Sequence, residues 1–291
     1  MKISCTPISY SASIKAGKTQ DDYFRLIAQS GAEGSDLLDV EAYPWFWQDF
    51  EIQVRSVVQR MNSFGLALSA YATGNNFVTT DPEMFRMMLL RVKKVIVTAA
   101  ELGAPCLRVF GGYYEDCGGE KGVSYKDAME MVARAFDELV PVAEQEGVVL
   151  ALENHGRLPG LSAEMDYLCR RYDSKSFRVT FDVANFLANN MDESEDPLKA
   201  YEVLKDRIAH VHVKSFQAAP SETGRRLVGA VAGEGYMVPL RQFMYRLQRD
   251  HYVGYCSLEY EADRYTPEEQ GVPASLRKLL EMKQAAELVI G

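Results

Sequence analysis

The chain has 291 residues and a formal net charge of −9. An acidic surface repels phosphate backbones and anionic bilayers, so nucleic acid and membrane are poor partners. With 47% hydrophobic and 25% charged residues, the composition is that of a soluble globular protein with material for a sizeable core.

The chain opens with MKISCTPISYSASIKAG, which has no apolar h-region, so no signal peptide is expected. A first strand is predicted over 2–6 (KISCT), then a helix over DDYFRLIAQS that stops at Gly31. A strand over 35–40 and the helical stretch FEIQVRSVVQRMNSF before Gly65 follow. After the strand at 66–71, Asp81-Pro82 supplies an N-cap and N1 for a helix to about Leu102. The strand at 106–110 leads to a helix from Ser124 to Gly147. Strands at 148–153 and 177–182 precede a helix near 197–206, opened by Asp196-Pro197. The strand at 208–213, a helix near 238–250, the strand at 255–260 and a helix near 271–288 complete the series. No linker, low-complexity tract or repeat interrupts it. Strands spaced by helices pair in parallel. Eight such units in 291 residues predict an α/β fold, a (β/α)8 TIM barrel, as a single domain over 1–291. A doubly wound sheet is the rival, but its glycine-rich first turn is missing from CTPISYSAS. Cys5, Cys106, Cys117, Cys169 and Cys256 are odd in number and form no CxxC. A disulfide framework is therefore not expected, and a cytoplasmic location fits.

Alternate residues of a barrel strand face the helices and the interior. In the fifth strand, Val148, Leu150 and Leu152 share one face and Val149, Ala151, Glu153 and His155 the other. In the sixth, Phe177, Val179, Phe181 and Val183 oppose Thr180 and Asp182. In the seventh, Val211 and Val213 oppose His210, His212 and Lys214. In the eighth, Leu258 and Tyr260 oppose Ser257, Glu259 and Glu261. The ionisable groups thus fall on the interior side, towards the C-terminal rim where barrel active sites are built. Glu153, Asp182, His212 and Glu259 would converge there. Three crowded carboxylates repel one another unless a cation neutralises them. Three carboxylates and one imidazole suit Mn²⁺, Mg²⁺, Co²⁺ or Zn²⁺.

The runs Glu153-Asn154-His155, Phe181-Asp182-Val183-Ala184-Asn185, His210-Val211-His212-Val213-Lys214, Ser257-Leu258-Glu259-Tyr260-Glu261 and Gly233-Glu234-Gly235 occur in that order. In this the chain resembles the xylose isomerase-like TIM-barrel superfamily, the sugar phosphate isomerase/epimerase group. The resemblance implies that Glu153, Asp182, His212 and Glu259 ligate one divalent metal, with Glu261 the alternative for the last. It also implies that Glu153 and Glu259 act as the acid/base pair of an isomerase or epimerase, with proton transfer through a metal-bound enediolate. Such chemistry needs a developing oxyanion stabilised by a Lewis acid, and two carboxylates allow configuration to be exchanged. Relatives pair or form tetramers, so a homo-oligomer is expected. Where the sugar 3-epimerases carry a histidine, a glutamate and a Gly-Glu run, this chain has Asn185, Pro159 and Val213-Lys214. A free-ketose 3-epimerase is therefore doubtful. The DNA-cleaving branch needs more histidines than His155, His210, His212 and His251. The alternatives are a metal-dependent lyase or dehydratase of the same superfamily, inosose dehydratase-like or C-glycoside-cleaving, and a non-catalytic carbohydrate-binding barrel.

His155, Asn185 and Lys214 are candidates for binding a carbohydrate or polyol substrate. The bland alternatives are a loop histidine, a structural amide and an ion pair of Lys214 with Glu261. Glu153 has an alternative as partner of Arg108, and Asp182 as an N-cap. His210 lies deeper and reads as structural. Trp45 and Trp47 offer a sugar-stacking wall or a helix-packing cluster. The Tyr113-Tyr114 loop and the stretch QAAPSETGRRLVGAVAGEG, with Arg225 and Arg226, would reach over the rim. Asn154 is expected behind the fifth strand, supporting the loop.

Overall fold

The computed structural model describes residues 1–47, 50–116, 122–156, 158–188, 194–221, 224–235 and 237–290. Cys117 and the side chains of Arg225 and Arg226, named above, lie outside the described residues. Eight parallel strands form a closed barrel. They are β1 (Lys2–Cys5), β2 (Gly34–Leu38), β3 (Ala67–Ala72), β4 (Leu107–Val109), β5 (Leu150–Glu153), β6 (Phe177–Asp182), β7 (Ile208–Val213) and β10 (Tyr255–Leu258). Between β7 and β10 the chain makes an antiparallel hairpin of β8 (Ser215–Ser221) and β9 (Gly224–Ala230). The barrel order is β1-β10-β7-β6-β5-β4-β3-β2. The helices are α1 (Ser11–Lys15), α2 (Gln20–Gln29), α3 (Phe50–Ser63), α4 (Pro82–Glu101), α5 (Tyr125–Glu146), α6 (Ser162–Tyr172), α7 (Asn185–Ala188), α8 (Pro197–Leu204), α9 (Leu240–Arg249) and α10 (Glu268–Ile290). None is long and apolar enough to cross a membrane.

The predicted boundaries hold to within a few residues, for local reasons. Asp81 caps α4 ahead of Pro82, accepting from the amides of Glu83 and Met84. Ser124 accepts from Asp127 N at the start of α5, and Gly147 ends it in the left-handed conformation. Thr19 and Asp22 cap α2 reciprocally. In α9, Leu240, Phe243, Met244 and Leu247 are buried at helical spacing, each contributing about 1.5–3 kcal/mol. The short helices α1 and α7, the helix α6 and the hairpin β8–β9, which occupies the stretch read above as a rim-covering loop, were not anticipated.

Contacts gather the chain into two compact units, residues 1–69 with 211–291, and residues 70–210. In the second, β4, β5 and β6 pair in register, Val109 beside Leu152 and Glu153 beside Thr180. Their outward residues pack on helices: Phe177 lies edge-on to Phe136 of α5, and Phe181 contacts Phe186 and Tyr201 of α7 and α8. Small interior residues, Ala70, Cys106 and Ala151, fill the other face with Val149 and Ala209. In the first unit, β10 pairs with β7, Ser257 beside His212, and with β1, Ser4 beside Ser257. There α9 packs on α10.

Candidate active site

The strands of the second unit deliver Glu153 and Asp182 at their C-terminal ends, both buried. Glu153 stands 3.3 Å from Arg108 Nε, with both side chains buried. Arg108 also donates to the carbonyl of Thr73 at 2.8 Å and lies over the Phe110 ring. The ion-pair alternative for Glu153 is thus realised. Asp182 Oδ1 accepts from the amides of Ala184 and Asn185, so its capping alternative is realised too. A cap of this kind uses one carboxylate oxygen, Oδ1.

Asn154 sets the spacing of these two carboxylates. Its Nδ2 donates to Asp182 O at 3.0 Å, and its Oδ1 accepts from Asp182 N at 2.9 Å. The buried amide extends the β5–β6 pairing one step beyond the ladder, as a supporting residue behind the strand should. Asn75 does the same after β3, where its amide exchanges both bonds with the backbone of Phe110. His155 is half-buried in an aromatic slot, stacked on Phe110 at 4.3 Å and edge-on to Tyr113 at 5.6 Å. Gly156 follows with φ +64°, and a Cβ there would stand 2.9 Å from the carbonyl of Gly112. The turn after His155 therefore lies against the loop after β4 and requires glycine. Asn185 is buried at the start of α7, and among the described residues its Nδ2 has no hydrogen-bond partner.

In the first unit, His212, Lys214 and Glu259 are brought together, all buried. Lys214 Nζ donates to Glu259 at 2.8 Å and to Glu261 at 2.9 Å. Glu259 is the buried carboxylate of the two; the Glu261 side chain is 41% exposed. His212 Nδ1 faces Glu259 Oε2 at 3.7 Å, and Nε2 faces Asp36 Oδ2 at 3.4 Å. Asp36 on β2 is fully buried and was not singled out in the sequence. Its two oxygens accept from Ser69 Oγ at 2.5 Å and Ser257 Oγ at 3.0 Å. The signal was there: Asp36 is a carboxylate inside the strand Gly34–Leu38. His210 is buried two positions before His212, in the same strand phase.

Buried acidic and histidine groups with the donor chemistry for a metal are therefore present. Three of the buried cysteines are held as weakly nucleophilic thiols: burial pushes the Cys5 thiol up to about 12, against hydrogen bonds with Ser9 and Tyr23. Burial likewise pushes Cys256 up to about 12 and Cys169 to about 11. Trp47 is buried and donates to the carbonyl of Leu38, as a packing residue; half-buried Trp45 lies under the Lys15 ammonium. Tyr114 donates to the carbonyl of Val123.

The family model for xylose isomerase-like TIM barrels matches residues 24–282. The chain belongs to this family. Among curated proteins no relative was found. Many solved structures share the fold of this xylose isomerase-like barrel. A 3-keto-D-glucoside 4-epimerase from E. coli is 17% identical, covers 98% of this chain and 99% of its own, and superposes with a TM-score of 0.70. A probable 3-DHS dehydratase from Bacillus anthracis is 16% identical over 96% and 99%, with a TM-score of 0.74. A D-psicose 3-epimerase from Clostridium cellulolyticum, solved with D-tagatose, is 17% identical over 99% and 98%, with a TM-score of 0.69. At these identities the likeness is one of fold.

Proposed function

We propose that this xylose isomerase-like barrel is a divalent-metal-dependent isomerase or epimerase of a carbohydrate or polyol, with Glu153, Asp182, His212 and Glu259 as metal ligands. The observation that carries the reading is the burial, at the C-terminal ends of four strands, of three carboxylates and one imidazole in a single interior phase. The charge count supports it. With imidazole neutral, the proposed ligands bring three buried carboxylates, and the described residues as a whole bury six carboxylates but only two cations, Arg108 and Lys214. Buried charge without compensation is costly, and a divalent cation offsets part of that excess. The donor set of hard oxygens and one nitrogen suits Mn²⁺, Mg²⁺, Co²⁺ or Zn²⁺.

When bound, the metal supplies Lewis-acid stabilisation of negative charge on a substrate oxygen. The side chains supply the rest. Glu153 and Glu259 move the proton at a carbon beside a carbonyl, one accepting it and the other returning it. His155 offers a substrate hydroxyl an imidazole fixed in its aromatic slot. Asn185 offers a buried amide donor, and Lys214 an ammonium. Neighbours of the same fold include epimerases of a ketoglucoside and of psicose, which agrees with this chemistry.

The test combines metal analysis with isotope exchange. Purified protein should carry near-stoichiometric divalent metal, and His212→Ala and Glu259→Gln should lose it. With metal present, the wild type should exchange a substrate C–H proton in D₂O across a panel of ketoses and keto-glycosides. A product short of a water or an aglycone would identify a lyase instead. Protein that takes up no metal after reconstitution with Mn²⁺, Co²⁺ and Zn²⁺ would sink the proposal.

A further inference from the structure

Beside Lys214 the chain forms a cleft of about 330 Å³, lined by Phe216, Leu227, Val228 and Gly229 of the hairpin and by Glu261, Arg264 and Tyr265 of the loop after β10. Both walls are anchored. A Cβ on Gly229 would stand 2.1 Å from the carbonyl of Glu261, so the hairpin backbone rests directly on the loop. The loop is tied down by Tyr260, whose hydroxyl donates to the carbonyl of Thr266 at 2.7 Å. It turns on the carbonyl of Ala262, which accepts from the amides of Tyr265 and Thr266. The cleft is therefore a built feature of the fold.

Its position links it to the candidate active site. Glu261, in its lining, shares the Lys214 ammonium with Glu259. One ammonium group separates the cleft from the proposed base. The lining chemistry names the occupant. Glu261 is negative and Arg264 positive, so the lining carries no excess charge to attract an anion. Arg264 makes no ion pair among the described residues, and its five N–H donors are available to hydroxyl oxygens. The Tyr265 ring, 54% exposed, presents a face for an apolar sugar surface. Phe216, Leu227 and Val228 form the opposite, apolar wall. The volume is at the lower limit for a ligand pocket, about 300 Å³, which suits one ring and not a longer chain.

We propose that this cleft binds a second, neutral, hydroxyl-bearing ring linked to the reacting sugar, so that the substrate is a glycoside and not a free monosaccharide. This rests on the isomerase reading above and specifies its substrate class. Tyr265 and Arg264 are the specificity-determining residues.

The test is calorimetric titration of Mn²⁺-loaded protein with D-fructose and with two disaccharides that carry the same ketose and a glucosyl group, maltulose and palatinose. At least one disaccharide should bind about tenfold more tightly than fructose, roughly the worth of one stacked ring with a hydrogen bond. Tyr265→Ala and Arg264→Ala should each remove most of that advantage while the affinity for fructose stays the same. Both side chains are exposed, so neither variant should disturb folding. Equal binding of all three sugars, an advantage that survives both variants, or no binding of any of them overturns the proposal. Proton exchange in D₂O, measured alongside, separates the two readings. A protein that prefers the disaccharide without exchange keeps the cleft and loses the isomerase; exchange without preference does the reverse.

Discussion

Replacing Asp36 by asparagine tests whether the group behind His212 matters to metal binding. The carboxylate takes two serine hydroxyls, at 2.5 and 3.0 Å, and faces His212 Nε2 at 3.4 Å. A carboxylate favours a proton on that nitrogen, which leaves the Nδ1 lone pair directed to the Glu259 side. Asparagine keeps the volume and removes the charge. If its amide oxygen faces the imidazole, a full negative charge 3.4 Å from Nε2 is replaced by a dipole, and the upper bound on the loss is the difference between a charged and a neutral hydrogen bond, about 1–1.5 kcal/mol. If its NH₂ faces the imidazole, the proton shifts to Nδ1 and the ligand nitrogen is lost. The first case therefore costs at most about tenfold in metal affinity, and the second costs more. Residues behind metal-bound histidines typically cost 10–100-fold when changed, roughly the same range. The assay is a chelator-competition titration with Mn²⁺ and Zn²⁺ on wild type and Asp36→Asn, with thermal melting of both metal-free proteins. Metal affinity should fall, by up to about tenfold in the first case and more in the second, while the metal-free Tm moves by only a few degrees. An unchanged metal Kd in a folded variant would refute the positioning role.

Two further outcomes follow from the ion pairs. Arg108→Met leaves Glu153 a buried carboxylate without its 3.3 Å partner, which should cost about 3–5 kcal/mol and lower the Tm by roughly 10 °C. Added Mn²⁺ should recover part of that loss, and a loss that metal does not touch would argue against Glu153 as a ligand. Glu33 accepts from the Ile3 amide and from Lys283, each at 2.9 Å. Burial pushes its carboxyl up, but these contacts and the nearby Lys2 outweigh burial and hold it below the ordinary value. A depressed carboxyl contributes stability that is present above the unfolded pKa of about 4.3 and is lost as pH falls through the folded value. In urea titrations the midpoint of wild type should therefore exceed that of Glu33→Gln at neutral pH, and the two should converge below about pH 4; a gap that persists in acid would contradict the linkage.

The barrel was legible because its strands alternate with period two and its helices carry caps at their ends. The same alternation places Glu153, Asp182, His212 and Glu259 in one interior phase. Helix α6 was missed although Met165, Leu168, Cys169 and Tyr172 follow helical spacing. Its N-cap position is Leu161, which has no capping oxygen. The capping is done from inside the helix by Glu164, which accepts from the amides of Gly160 and Leu161. The hairpin was missed because Pro220 and two glycines interrupt any alternation in Ser215–Ala230, and its pairing is an antiparallel excursion outside the repeating unit. Asp36 and Asn75 were missed for a different reason. Their roles depend on the strand beside each of them, and one strand's periodicity says nothing of its neighbour's register.

Lys214 connects the candidate metal chemistry to the cleft. Its ammonium is shared between a buried carboxylate, Glu259, and a part-exposed one, Glu261. A divalent cation held by Glu259 would compete with the Lys214 ammonium for that carboxylate, and the cation carries the greater charge. If Glu259 turns to the metal, Lys214 keeps Glu261 as its partner and stays at the edge of the cleft. A leucine or valine at this position would leave two carboxylates facing each other without a cation, and an arginine is too long for the 2.8 and 2.9 Å contacts. Lysine, with a compact charge and a flexible stem, meets both demands. On the proposed reading, the departure from the sugar 3-epimerase pattern at Val213-Lys214 belongs with the choice of substrate and not with the loss of catalysis.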